Sequence, residues 1–263
     1  YFAQNFEQFG LKKLISTSYA PESKKYKTHY QPSLFEVNDP QFDQYKTTKN
    51  GKIFTLTHDK MGDGKVDIDD LEWTYLKGDG DFNSDEIKKL RNEADVIVTN
   101  PPFSLFRDFL AWIVEAGKQF LVIGNINAIT YKEVFPLIKE DRLWLGVTNF
   151  NKGMYFQVPE DFVYADSYKF EREQNGVKVN RVPGVCWYTN LDHGRRHEPL
   201  PLMTEEDIIK FATKESFDKY DNYDAIEVPL VKNIPSDYKG VMGVPITFLD
   251  KYSPEQFEIV GSN

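Results

Sequence analysis

Ala94-Asp95-Val96-Ile97-Val98-Thr99-Asn100-Pro101-Pro102-Phe103-Ser104-Leu105-Phe106-Arg107-Asp108-Phe109-Leu110 reads as a strand, a tight turn and the start of a helix. The β-branched run up to Thr99 has the texture of a buried parallel strand, and the residues from Ser104 have that of a capped amphipathic helix. A polar turn between such elements lies at the carboxyl edge of an open sheet, where α/β folds bind their ligands. The turn suits one kind of chemistry. An exocyclic amine on a purine or pyrimidine is a poor nucleophile because its lone pair is delocalised into the ring. Two acceptors aimed at its hydrogens localise that pair. The Asn100 side-chain oxygen and the Pro101 carbonyl can supply them, and Pro102 has no N–H to compete for that carbonyl. Phe103 offers a flat face for a base, a contact worth ~1–3 kcal/mol in single-stranded recognition. The plainer alternative is that Pro101-Pro102 stops a strand and Phe103 joins the core.

Working outward, alternation of helices and strands continues on the C-terminal side. Leu105, Phe106, Phe109, Leu110, Ile113 and Val114 form one apolar stripe ending at Gly117, and Phe120-Leu121-Val122-Ile123 reads as a second buried strand. Asn125 and Asn127 fall just past it, as turn formers or caps. A helix over 132–140 must carry Pro136 in its first turn or kink there. Strand signals recur at 143–145, 154–158 and 185–189, with Asn175-Gly176 marking a hairpin. Trp187 and Tyr188 point to opposite faces of the last strand, so one enters the core and the other can approach the edge.

On the N-terminal side, aromatics at positions 2, 6 and 9 follow helical spacing up to Gly10, and Leu11 to Thr17 reads as a strand. About thirty polar residues follow as a surface excursion, with a strand at 51–57 near its end. The segment 59–70 has the acids of a calcium loop at some positions, but Met61 and Asp70 break the pattern, so it reads as an acidic turn. Gly78-Asp79-Gly80-Asp81-Phe82 is a turn whose acids would repel phosphate; it suits an uncharged ring, or is a plain turn before a helix capped at Ser84.

Composition sets outer bounds. The 263 residues can bury a substantial core, and no apolar run reaches membrane-spanning length. The single cysteine, Cys186, forms no internal disulfide, which points to a reducing cytoplasm. Thirty-two basic against 41 acidic residues give a formal net charge of -9, so broad attraction to phosphate backbones is not expected. A basic strip between Lys169 and Arg196 is the exception, readable as a nucleic-acid contact or a solvated hairpin face. His193 and His197 read as local hydrogen-bond partners. After Asn190 recurrent prolines indicate an irregular extension.

The Asn100-Pro101-Pro102-Phe103 turn resembles the catalytic motif of S-adenosylmethionine-dependent amino-methyltransferases. With the stretches 11–19, 78–82, 123–133 and 240–249, it is similar, in order and over nearly the whole chain, to the EcoRI-type family of adenine-specific DNA methyltransferases. The resemblance implies a Rossmann-like α/β fold with a mainly parallel sheet. The family's first strand would precede residue 1, so the catalytic domain, 1–190, is expected to be N-terminally incomplete, with 191–263 as a C-terminal extension and possible target-recognition region. It implies methylation of the N6 amine of adenine in DNA with base flipping, in a restriction-modification setting, using S-adenosyl-L-methionine and no metal. Asn100, Pro101, Pro102 and Phe103 would be catalytic, and Asp81, Phe82 and Asn100 would hold the cofactor. Phe103, Trp187, Tyr188, Arg195 and Arg196 would meet the DNA. The alternatives are methylation of an RNA adenine or a protein glutamine, and an inactive methyltransferase fold that only binds DNA or protein.

Overall fold

Strands β1 (Leu14–Ser18), β2 (Lys52–Leu56) and β3 (Glu72–Tyr75) form an antiparallel meander in the register Leu14↔Leu56 and Lys52↔Tyr75. The structure is a computed structural model and describes residues 1–21, 37, 39–148, 150, 152–212 and 217–262. The chain divides into two units, Tyr1–Ala94 and Asp95–Asn263. Residues 191–263 lie in the same unit as the Asn100 turn. Much of the polar excursion expected after β1 lies outside the described residues.

In the first unit, helix α1 (Gln44–Lys49) is capped by Asp43, which accepts from the N–H groups of Tyr45 and Lys46. Helix α2 (Asp85–Glu93) is capped by Ser84, whose hydroxyl accepts from Ile87 N–H, and Asp85 and Glu86 complement the dipole in its first turn. Leu56, Leu76, Phe82 and Ile87 are buried. Residues 1–10 make hydrogen-bonded turns rather than a continuous helix. The Asn5 amide donates to Tyr1 O at 2.8 Å and so competes for the first turn's carbonyl.

The second unit is built on a four-stranded sheet in the order β4-β5-β10-β6. These strands are β4 (Val96–Thr99), β5 (Gln119–Asn125), β6 (Trp144–Leu145) and β10 (Val185–Thr189). β4 and β5 are parallel, whereas β10 is antiparallel to both β5 and β6. Hence β4, β5 and β6 run one way with a reversed strand inserted, and all three end on the same edge. Between β6 and β10 the chain forms a second antiparallel sheet, β7 (Met154–Gln157), β8 (Glu173–Gln174) and β9 (Val177–Val182). Asn175 and Gly176, both at positive φ, close its β8–β9 hairpin.

Helix α3 (Phe106–Glu115) packs on this sheet through buried Phe106, Leu110 and Ile113, each side chain contributing ~1.5–3 kcal/mol. Gly124 makes the close approach possible: a Cβ there would lie 2.4 Å from the Phe106 ring and 2.8 Å from that of Tyr188. Helix α4 (Phe135–Lys139) keeps Pro136 in its first turn, as expected. The C-terminal part is less irregular than its prolines suggest. It holds α5 (Glu205–Ala212) and a parallel pair, β11 (Ala225–Glu227) and β12 (Val241–Gly243), around a small core of Ile226, Val228, Ile234 and Phe248.

The architecture is mixed α/β with parallel pairs, not the mainly parallel sheet expected: among the described residues two strand pairings are parallel and six antiparallel. The sequence does not show why, because a buried antiparallel strand such as β10 has the same continuous apolar texture as a parallel one. The expectation that β4 is fully buried also needs correction. It is the end strand of its sheet, and Val96 and Val98 on one face are exposed.

Candidate active site

Thr99 ends β4, and the chain turns sharply through Asn100, Pro101 and Pro102 into a short 3-10 turn, Phe103–Leu105, before α3 begins. Pro101 is buried and Phe106 is 1% exposed, so both flanks of the turn are anchored. Asn100 between them is exposed, and Phe103 presents a ring that is 47% exposed. The Leu105 N–H is held by Pro102 O at 2.8 Å. Among the described residues no hydrogen bond occupies the Asn100 amide, and no donor occupies the Pro101 carbonyl. The alternative in which Phe103 fills the core is thereby excluded.

β5 reaches the same edge. Asn125 at its end is a cap, its side chain accepting from Asn127 N–H at 2.8 Å, as the sequence suggested. Tyr188 is wholly buried beneath α3, its ring centroid 5.0 Å from that of Phe106. Its hydroxyl donates to Asn125 O at 2.8 Å. Burial pushes that hydroxyl's pKa far up, so it stays a neutral donor that fixes the strand end. Trp187 points to the other face and packs with Ile123, Met154 and Val185. Of the two candidates on this strand, Tyr188 thus lies in the core, tying the strand end, and Trp187 is half-buried in a separate cluster. Cys186 is buried too, and its thiol is pushed up to about 12 by burial, which removes it as a nucleophile.

Arg195 and Arg196, expected to meet DNA, are placed inside the unit. Their side chains are 16% and 12% exposed and are committed within the unit. Arg195 donates to Asp250 Oδ1 at 2.7 Å and to Val147 O at 2.7 Å. Arg196 pairs with Asp141 at 2.8 Å and stacks 3.9 Å from the Trp144 ring centroid. Neither presents a free guanidinium to a phosphate. Lys178, another member of the expected basic strip, donates to the carbonyls of Glu160 and Phe162. The histidines are local partners: His193 contacts Leu145 O at 2.9 Å, and His197 lies between Asp192 at 2.7 Å and Glu255 at 2.5 Å.

In the first unit, the turn at 78–82 is set against the end of β1. Ala20 N–H donates to Asp79 O at 2.8 Å, and Gly80, at φ +89°, passes so close that a Cβ would sit 2.6 Å from Ser18 O. Asp81 is half-buried. Its Oδ1 accepts from Asn83 N–H at 2.9 Å and lies 3.5 Å from the Tyr19 hydroxyl, while its Oδ2 has no partner among the described residues. Burial, with the charges of Asp81 and Asp79, raises the Tyr19 pKa, so that hydroxyl remains a donor. Phe82 is buried. Sequence reasoning passed over Tyr19, although its place directly after a strand end was a usable signal. The 59–70 segment is an acidic turn: Asp59 accepts from Gly62 and Gly64, and Asp70 from Lys60, Met61 and Asp67. Backbone N–H groups, Met61's foremost, hold the Asp70 carboxyl below its usual range. Among the described residues no group of His, Cys, Asp or Glu is arranged to hold a metal ion.

The family described as "Adenine-specific methyltransferase EcoRI" matches residues 1–263. The chain is 43% identical to "Type II methyltransferase M.EcoRI" of Escherichia coli over 99% of its own length and 73% of that protein's. It is 37% identical to "Type II methyltransferase M.MgeORF184P" of Mycoplasma genitalium and 36% identical to "Type II methyltransferase M.MpnI" of Mycoplasma pneumoniae, each over 99% of this chain and 69% of the relative. No solved structure matches the chain.

Proposed function

Because the chain belongs to the EcoRI family of adenine-specific methyltransferases, we propose that it methylates the N6 amine of adenine in DNA, as the modification enzyme of a type II restriction-modification system. The observation that carries this reading is the Asn100 turn: an exposed asparagine whose amide, like the neighbouring Pro101 carbonyl, has no hydrogen-bond partner among the described residues, at the carboxyl edge of a parallel strand pair. Asn100 Oδ1 and Pro101 O accept the two hydrogens of the target amine and localise its lone pair. Phe103 stacks on the base. Duplex stacking hides the amine, so the adenine is rotated out of the helix to reach the turn. Positioning and fixed acceptors supply most of the acceleration. No ionisable group is needed at Asn100, and the proton displaced from the nitrogen passes to water at this exposed turn.

The methyl donor of the family is S-adenosylmethionine, which supplies an electrophilic methyl group on a sulfonium. The residues present fit its adenine, since the vacant Asp81 Oδ2 can accept from an exocyclic amine while Oδ1 is held in place by Asn83 N–H. Phe82 supports the turn from beneath. The order β4-β5-β10-β6, with three strands in one direction and one reversed, supports the Rossmann-like reading, in which ligands gather at the common carboxyl edge. Among the described residues no helix is long and apolar enough to cross a membrane. We take the cytoplasm, with its DNA, as the place of action, and residues 191–263, which carry a small core of their own, as a contributor to target recognition. Tritiated methyl transfer into DNA tests the reading: the protein should label duplex DNA at adenine N6. Labelling of RNA or protein in its place would overturn the substrate while leaving the amine chemistry.

A further inference from the structure

Two exposed cations stand beside the Asn100 turn and have no part in the chemistry above. Arg107 lies about one helical turn beyond Phe103, in the first turn of α3, and its side chain is 56% exposed. Lys132 follows the 3-10 turn that leaves β5, and its side chain is 89% exposed. Because β4 and β5 are parallel, both segments leave the sheet at one edge. Direct contacts tie them together: Arg107 Nη1 lies 3.7 Å from Glu133 Oε1, and the guanidinium carbon lies 5.7 Å from the Tyr131 ring centroid.

Helix stability does not account for Arg107, since a cation in the first turn opposes the macrodipole. Its pairing with Glu133 does not account for it either. At 3.7 Å the contact exceeds a charge-assisted hydrogen bond, and exposed pairs of this kind add little. Among the described residues Lys132 meets only Glu133, its neighbour in sequence, at 3.9 Å. In a chain of net charge -9, two exposed, weakly held cations on segments that leave the sheet at one edge make a local site for an anion.

We propose that Arg107 and Lys132 bind the phosphodiester backbone of the DNA strand that carries the target adenine, with Glu133 as the competing partner that Arg107 exchanges for phosphate. The Tyr131 ring holds the guanidinium plane so that its fork can meet two phosphate oxygens. Exposed Asp108, also in the first turn of α3, limits the attraction, and among the described residues it accepts no hydrogen bond from either cation. The inference rests on DNA as the substrate.

Fluorescence anisotropy with a labelled duplex of the sequence that the wild-type protein methylates, titrated across a range of salt, tests it. Arg107→Gln and Lys132→Gln should each weaken binding several-fold and lower the slope of log K against log salt by about 1, with the urea midpoint unchanged. Arg107→Lys should retain the slope. Glu133→Gln should strengthen binding, an outcome that a purely structural ion pair would not produce. Unchanged slopes in both Gln variants, or weaker binding in Glu133→Gln, would overturn the phosphate contacts while leaving DNA as the substrate. If the wild-type protein methylates no DNA, the substrate reading falls and this inference with it.

Discussion

The Asn100 turn and the Gly194–His197 segment are both short polar connections after a strand of the same sheet, yet their side chains are used in opposite ways. At the turn, buried Pro101 and Phe106 hold the backbone while the Asn100 amide has no partner among the described residues. At the other segment, Arg195, Arg196 and His197 are paired with Asp250, Asp141, Asp192 and Glu255, although Arg196 Nε is left buried without a partner among the described residues. Residue type alone pointed to both as ligand sites. What separates them is whether the polar atoms are already satisfied, because a satisfied buried group stabilises the fold and an open one on a rigid frame can meet a substrate.

The largest effect expected from this contrast is at Asn100. Asn100→Ala should lower methyl transfer by on the order of 10²–10³, the scale of one lost preorganised hydrogen-bonding group, with the urea midpoint unchanged within the usual surface range. Tritiated-methyl incorporation beside a denaturation curve checks both halves. Normal turnover would remove Asn100 from the mechanism. Arg195→Ala should do the reverse. It should cost on the order of 2–3 kcal/mol of stability, between an exposed and a fully buried pair, while specific activity of the folded fraction is kept. A loss of DNA affinity with stability intact would break the comparison and restore Arg195 to the interface.

Asp81 tests the contrast in the other unit. Asp81→Ala should weaken S-adenosylmethionine binding by about 1–2 kcal/mol, the lower part of the range for a donor left unsatisfied, since the carboxylate is only half-buried. Calorimetry reads it directly, and unchanged affinity would return the 78–82 turn to a purely structural role. The smallest effect is at His197. Its pKa is raised, first by the hydrogen bond it donates to Asp192 and then by the one it donates to Glu255, and those two carboxyls are held low chiefly by His197. The histidine's contribution is therefore full below its unfolded pKa and lost as pH rises through the raised folded value. The carboxylates' contributions are present above their unfolded values and lost as pH falls through the lowered ones. A plot of Tm against pH for His197→Asn should diverge most from wild type in mildly acidic solution and converge with it at alkaline pH. Parallel curves would mean that the cluster carries no charge-linked stability.

Much of this was readable in the chain because it depends on local rules. The β4-turn-α3 unit, the cap at Ser84, the Asn175-Gly176 hairpin and the first-turn Pro136 all follow from backbone preferences of a few consecutive residues. Strand direction was not readable, since β10 pairs with β5 across some sixty residues and its apolar run is the same either way up. Nor was the commitment of Arg195, whose partner Asp250 lies fifty-five positions away. Arg107 and Glu133 escaped for the same reason. The question left between Trp187 and Tyr188 needed only the face of β10 that packs on α3, which no pattern in the strand itself reveals.

The reversal of β10 between β5 and β6 has a bearing on how such proteins diversify. β6 ends and β10 begins at the edge where Asn100 stands, so the chain from 146 to 184 leaves and re-enters at that one margin. Its small sheet, β7-β9-β8, pairs only with itself among the named strands. Met154 anchors it on Ile123 and Val185, so change is tolerated best at the β8–β9 hairpin, where insertions or deletions can alter the segment without shifting a rung of the β5–β10 ladder.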